Sequence, residues 1–117
     1  MHFELTEEQR MLGEVVQRLL AKEYSFEARR RILRDPAGWS RAVWRQFAET
    51  GLLALQVPPE QGGMAPAAVE TMLTMNALGK ALSVEPYLAS AVLGTALVRE
   101  LGSEEQRERL LPALAAG

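Results

Sequence analysis

The sequence feature that most restricts this fold is a run without any charged side chain at residues 86–98. The run reads PYLASAVLGTALV, and its only polar side chains are those of Tyr87, Ser90 and Thr95. A membrane-spanning helix needs roughly 20 apolar residues, so this shorter run predicts a buried core helix instead. A helix that is apolar on every side must be surrounded by other apolar surface.

The helix predicted just before this run, at residues 67–82, is nearly as apolar, because Glu70 and Lys80 are its only charges. A chain of 117 residues forms one domain and can enclose one such helix, but two neighbours strain its supply of covering surface. The run also contains small residues that leave room beside the backbone: Ala89, Ser90, Ala91, Gly94 and Ala96. Two interpretations stay open, namely close packing within the domain, or a flank that faces a partner domain or an apolar ligand.

The rest of the chain is also helical in pattern. TEEQ at residues 6–9 and SEEQ at residues 103–106 are capping boxes, and the first begins a helix at about residues 6–23. FEARRRILR predicts a second helix, and Ser40 is the expected N-cap of a third that Gly51 closes. We therefore predict an all-α fold, an orthogonal bundle of about six helices. One long Pro/Gly loop, LLALQVPPEQGGMAP at residues 52–66, interrupts it.

Composition excludes several kinds of function. The chain has no cysteine and only one histidine, His2, which disfavours thiolate metal sites, multi-histidine metal sites and imidazole catalysis. Ser40 and Ser103 occupy N-cap positions and have no histidine partner, so we expect no nucleophilic site. The net charge of −2 argues against a nucleic-acid partner. Because MHFELTEEQR has no apolar signal region, we expect a cytoplasmic protein without a membrane association.

A basic run in the second helix admits two interpretations. It could contact a phosphate group, or it could be a solvated helix face balanced by Glu27 and Asp35, which is the interpretation we favour. Its members are Arg29, Arg30, Arg31 and Arg34. Apolar residues elsewhere are expected in the core: Trp39, Trp44, Phe47, Met72 and Met75.

Four segments in a fixed order resemble the N-terminal helical domain of the acyl-CoA dehydrogenase family. They are FELTEEQRMLGEVVQRLLAKE, WRQFAETGLLALQVPPEQGG, TMLTMNALGKAL and GSEEQRERLLPALAAG, and together they span essentially all 117 residues. VEPYLAS at residues 84–90 further resembles a bacterial branch that includes heteromeric enzymes with one catalytically degenerate subunit.

The resemblance implies a longer flavoprotein of fatty acid metabolism, with a middle β-domain and a C-terminal helical domain that this sequence lacks. Enzymes of the family are oxidoreductases that oxidise the Cα–Cβ bond of an acyl-CoA thioester. A glutamate removes the α-proton while FAD takes hydride from Cβ. Since that glutamate and nearly all FAD contacts belong to the later domains, we expect no catalytic, cofactor-binding or metal-binding residue in residues 1–117. FAD is expected in the full-length enzyme only, and the isolated chain is expected to be inactive.

The resemblance also implies a place for substrate. In the family, the helix that corresponds to residues 86–101 borders the acyl-chain cavity, and matched positions assign Pro86, Ala89, Ser90 and Leu93 to it. Small residues there imply a roomy pocket for a bulky or long acyl group. The expected partners are acyl-CoA and either the two later domains or a partner subunit, within a homo- or hetero-oligomer.

Two positions depart from the family pattern. Asn76 and Ala77 stand where the family often has two glutamates, and Gln61 stands where it commonly has Tyr or Phe. These departures keep an alternative open: a non-catalytic helical subunit, or an interaction module that pairs with a catalytic chain.

Overall fold

The computed structural model describes residues 3–117, and all regular structure in that range is helical. Two 3₁₀ turns connect the helices, and a π-helical segment, Leu88–Gly94, continues directly into the fifth helix. The six α-helices are α1 Glu7–Glu23, α2 Phe26–Arg34, α3 Arg41–Glu49, α4 Ala68–Ala81, α5 Thr95–Leu101 and α6 Glu104–Ala116. The all-α prediction is confirmed, while His2 lies outside the described residues.

The helix starts follow from local side-chain chemistry. The Thr6 hydroxyl accepts from the Gln9 amide at 3.2 Å, and the Gln9 side chain accepts from the Thr6 amide at 3.0 Å. Ser103 makes the same reciprocal pair at the start of α6, and the Ser40 hydroxyl caps α3 through the Val43 amide. Each cap satisfies backbone donors that the first turn leaves free, so these boundaries were readable from sequence.

Helices α1 and α4 lie side by side and run in the same direction. The Gln9 amide nitrogen donates to Glu70 at 3.1 Å near their starts, and the Tyr24 hydroxyl donates to Glu85 just past their ends. Both pairs join residues 61 positions apart, so the offset is the same at either end. This pairing brings the end of α1 to the loop that precedes the π-helical segment.

The Pro/Gly loop is part of the core. Four of its apolar side chains are 0 or 1% exposed: Leu52, Leu53, Leu55 and Val57. The Met64 and Ala65 amides donate to the carbonyl oxygens of Ala54 and Val57 at 3.0 Å, which folds the loop back on itself. At Gly63 a Cβ atom would stand 1.8 Å from the Val57 carbonyl oxygen, so this close approach requires glycine. The loop thus has a structural role.

The aromatic residues pack as predicted, whereas one methionine does not. Phe47 is fully buried, Trp44 is nearly so, and the Trp39 ring meets the Trp44 ring edge-on at 6.0 Å. Met75 is half-buried against the core, but Met72 is 57% exposed, so its assignment to the core was wrong. The inward positions of α4 are taken by shorter side chains instead: Thr71, Thr74, Ala77 and Leu78. The two threonines can be buried because each hydroxyl donates to a carbonyl one turn earlier.

The molecule is a slab of 43 × 40 × 19 Å. An α-helix with its side chains is about 10–12 Å across, so the slab is roughly two helices thick. Each helix in such a slab has one side on a broad outer face of the molecule. Within residues 3–117, no further layer of this chain covers that side.

Candidate functional site

The predicted apolar helix is not α-helical throughout. In the segment Leu88–Gly94 the hydrogen bonds span five residues, and the Thr95 amide donates to the Ser90 carbonyl oxygen. The buried Thr95 hydroxyl donates to the same oxygen at 3.0 Å. The expectation of a regular α-helix was therefore wrong here. The small side chains of this segment, Ala89, Ser90 and Gly94, allow the wider turn, and periodicity alone gave no sign of it.

The wide turn aligns four exposed leucines, which we call the leucine row: Leu88, Leu93, Leu97 and Leu101. They are between 50 and 79% exposed. Their spacing is five, four and four residues, and the five-residue step falls within the π-helical segment, where one turn takes an extra residue. The side chains of Tyr87, Ala91 and Thr95 are buried. Of the two interpretations that the sequence left open, the exposed leucine row favours a flank that faces outward over complete packing within the domain.

The four residues assigned to the acyl cavity lie at the start of this helix. Ala89 and Leu93 are exposed, whereas Pro86 and Ser90 are half-buried. Leu93 belongs to the leucine row. Substrate contact by these four residues stays a prediction.

An apolar cavity of about 280 Å³ lies next to these residues, between the end of α4 and the start of the π-helical segment. It is lined by Met75, Leu78, Gly79, Leu82, Ser83, Glu85, Tyr87 and Leu88. The predicted residues are neighbours of its Leu88 wall and are not part of its lining.

Tyr87 anchors the buried side of this helix to the Pro/Gly loop. Its hydroxyl donates to the Leu52 carbonyl oxygen at 2.8 Å, and its ring meets the Phe47 ring edge-on at 6.3 Å. Burial of the phenol raises the pKa of Tyr87. The Pro/Gly loop thus fixes the position of this helix relative to the core. This contact gives the rigid loop a structural function in the middle of the chain.

Sequence reasoning missed Glu85, a carboxylate that is only 7% exposed. It accepts from the Tyr24 hydroxyl, from the Ser83 hydroxyl at 2.8 Å and from the Ser40 amide at 3.2 Å. Burial, and then the hydrogen bond to Glu85, raise the pKa of Tyr24 to about 12. The sequence signal for the burial of Glu85 was weak: it is an acidic residue between apolar neighbours in SVEPYL.

The basic run of α2 is largely solvent-facing, as expected, and it lacks contact ion pairs. No side chain of α2 is fully buried. Across residues 3–117, the ion pairs within 4.0 Å are Lys22–Glu23 and Arg99–Glu100. Glu27 and Asp35 therefore make no contact ion pair with the arginines of α2, and their opposite charge acts on that face only through solvent.

A second groove, of about 610 Å³, lies beside the Pro/Gly loop and α6. Its lining includes three carboxylates, those of Glu60, Glu104 and Glu108, together with Arg99 and Arg107. Three carboxylates would repel the pyrophosphate of a flavin dinucleotide. This groove does not fit FAD. Within the described residues, no helix has the length and apolarity needed to cross a membrane.

Comparison with known proteins agrees with this fold and places it in a family. Residues 6–117 match the family model described as "Acyl-CoA dehydrogenase, N-terminal domain". The probable acyl-CoA dehydrogenase YngJ of Bacillus subtilis is 30% identical over 119 aligned positions, which cover 100% of this chain and 31% of that protein. The acyl-CoA dehydrogenase IpdE2 of Mycolicibacterium smegmatis is 32% identical over 114 positions, covering 97% and 36% of the two chains.

A solved structure gives the same result. The ChsE4–ChsE5 complex from Mycobacterium tuberculosis contains a chain that superposes with a TM-score of 0.88 at 27% identity. The match covers 99% of this chain and 32% of that one. This chain thus spans about a third of the length of the proteins it resembles. It belongs to the acyl-CoA dehydrogenase family and forms the family's N-terminal helical domain.

Proposed function

We propose that this chain is the substrate-pocket domain of an FAD-dependent acyl-CoA dehydrogenase that introduces an α,β double bond into an acyl-CoA thioester. One observation supports this most: the leucine row leaves an apolar flank open on the helix that resembles the acyl-bordering helix of the family. An alkyl tail is the part of the substrate that such a surface suits, because burying it removes apolar area from water.

In this proposal Pro86, Ala89, Ser90 and Leu93 lie along the acyl chain. The small side chains at positions 89 and 90 leave space, and the Ser90 hydroxyl is the polar side-chain group among the four residues. The middle and C-terminal domains supply the catalytic glutamate and hold FAD, whose role is to accept hydride from Cβ. The isolated chain contributes shape and water exclusion, and it has no turnover alone.

The test uses the full-length protein, assayed with acyl-CoA thioesters of increasing chain length. Ser90→Trp should lower turnover of long acyl-CoA substrates while flavin content stays near that of the unchanged protein. Ala21→Trp, at an exposed position of α1, is the matched control and should leave the chain-length profile unchanged. A flavin-free protein, or equal turnover of all chain lengths in Ser90→Trp, would contradict the proposal.

A second candidate is favoured by the solved relative, which is a complex of two chains, ChsE4 and ChsE5. Here the chain belongs to a subunit that pairs with a catalytic chain of the same family, and the open flank is covered in that assembly. Purification of the full-length protein alone and after co-expression with a second acyl-CoA dehydrogenase chain from the same source would separate the two. Flavin binding and turnover by the protein alone would favour the first candidate.

A further inference from the structure

The buried carboxylate of Glu85 joins three separate parts of the chain. Tyr24 lies at the end of α1, Ser40 at the start of α3, and Ser83 in the loop that precedes the π-helical segment. Each of them donates one hydrogen bond to this carboxylate. The Tyr24 hydroxyl in turn accepts from the Val84 amide at 3.1 Å. We call these residues the Glu85 cluster.

The Glu85 cluster tightly restricts the loop that precedes the π-helical segment. A buried charge is costly unless hydrogen bonds satisfy it, and among residues 3–117 no basic side chain lies within 4.0 Å of the Glu85 carboxylate. Its three donors must therefore keep their positions, since loss of any one leaves a buried acceptor partly unsatisfied. The loop is held at Ser83, Val84 and Glu85, which are consecutive in sequence.

The restrained loop leads directly into the candidate site. Pro86, the first of the four predicted acyl-cavity residues, follows Glu85. Tyr87 and Leu88 come next, and with Glu85 they line the 280 Å³ cavity. The position of the carboxylate therefore sets where the π-helical segment begins, and the rotation of that segment sets which side chains face the open flank.

We propose that Glu85 is a positioning residue for acyl-chain recognition, acting through the start of the π-helical segment. This inference rests on the proposed function. Glu85 does not touch the acyl group. It holds the flank in the orientation that suits a long or bulky acyl chain, and its loss shifts that flank without affecting the flavin chemistry, which the proposed function assigns to the other domains.

The experiment uses the full-length protein carrying Glu85→Ala, Glu85→Gln or Tyr24→Phe. In Glu85→Ala the KM for long acyl-CoA should rise about tenfold or more, since a displacement near 1 Å can cost that much. The kcat for a short acyl-CoA and the flavin content should stay within about twofold, because short chains reach less of the flank. Glu85→Gln should recover part of the loss, because its amide oxygen still accepts from the Ser40 amide.

Glu100→Ala is the matched control, since Glu100 is an exposed carboxylate on α5, the continuation of the same helix. It should match the unchanged protein in every kinetic measurement. If Glu85→Ala does not fold, Tyr24→Phe removes a single donor and should show the same KM change in weaker form. Unchanged KM values across chain lengths, or an equal fall in flavin content and in turnover of all substrates, would overturn the proposal.

Amide hydrogen exchange on the same variants separates this inference from the proposed function. Exchange at Ser40 and Val84 should accelerate in Glu85→Ala and not in Glu100→Ala, because those amides donate within the cluster. If the unchanged protein lacks acyl-CoA turnover, the proposed function fails whatever the exchange result. If turnover is present and exchange at Ser40 and Val84 does not change, the inference fails and the proposed function stands.

Discussion

The hydroxyl and the amide of Thr95 both donate to one acceptor, the carbonyl oxygen of Ser90. Since Thr95 is fully buried, the hydroxyl cannot exchange this bond for one to water. Thr95→Val keeps the shape and removes the donor. We expect the free energy of unfolding to fall by about 0.5–1.5 kcal/mol, the net contribution of one such bond.

Urea unfolding measures this change, and Thr50→Val supplies the comparison. Thr50 makes the same kind of bond to the Gln46 carbonyl oxygen at 2.7 Å, but it is exposed. Water can replace that bond, so the change should stay within about 0.5 kcal/mol. Equal losses in the two variants would show that burial of the Thr95 hydroxyl has no special effect.

Replacing glycine by alanine should change the free energy of unfolding in opposite directions at Gly63, where the backbone makes a close approach, and at Gly13. Gly63→Ala places a methyl group against the Val57 carbonyl oxygen and should lower the free energy of unfolding by about 1–3 kcal/mol. Gly13 lies within α1 with open space around it, so Gly13→Ala should raise that free energy by roughly 0.5–1 kcal/mol. Thermal unfolding of both variants checks the signs. A neutral Gly63→Ala would contradict the loop geometry.

Ionisation of Tyr24 should weaken the fold at alkaline pH. Its pKa rises from 10.0 in the unfolded chain to about 12 in the folded one, chiefly through burial and then through the bond to Glu85. A raised folded-state pKa favours the protonated phenol. The resulting stability is therefore complete below pH 10 and is lost as pH rises through about 12.

Unfolding titrations across this pH range measure the loss directly. Tyr24→Phe should begin with a lower free energy of unfolding and show a smaller fall across the window. A residual fall should persist, because burial also raises the pKa of Tyr87. Identical pH profiles for the two proteins would argue that Tyr24 stays solvated.

The leucine row gives a prediction about what covers it. Leu97 is 60% exposed, so Leu97→Ala should change the stability of the isolated chain by less than about 0.5 kcal/mol. If another domain or subunit covers the row, the same change in the full-length protein should cost about 2–5 kcal/mol. Leu53→Ala, fully buried already, should cost about 2–5 kcal/mol in either context. A small effect of Leu97→Ala in both the isolated chain and the full-length protein would show that no domain or subunit packs against the leucine row.

Features set by neighbouring residues could be predicted from the sequence, whereas those set across the fold could not. The caps at Thr6, Ser40 and Ser103 depend on residues within one turn, so the amino-acid sequence was sufficient to predict them. The open flank was one of two interpretations that the sequence allowed, since a chain of this size has little apolar surface to cover two neighbouring helices with few or no charges. The family resemblance rested on four segments that occur in the same order as in the family, which is again a property of the sequence.

The exposure of Met72 and the burial of Glu85 escaped prediction because each depends on a residue that is distant in sequence or on a competition for inward positions. The π-turn is local, but its hydrogen bonds leave no mark on the hydrophobic periodicity. Two of the three donors to Glu85, Ser40 and Tyr24, lie 45 and 61 residues away, and no local pattern reports them. Met72 loses its inward place to threonines whose hydroxyls are satisfied within the helix.

The aromatic packing has one practical consequence. Ring centroids follow each other at 6.0, 6.2 and 6.3 Å from Trp39 through Trp44 and Phe47 to Tyr87, on the buried side of the helix that carries the leucine row. Both tryptophans of the chain belong to this series. Loosening of the core around Phe47 and Tyr87 should therefore change the emission of these indoles, so tryptophan fluorescence can follow unfolding of this side of the helix without an added label.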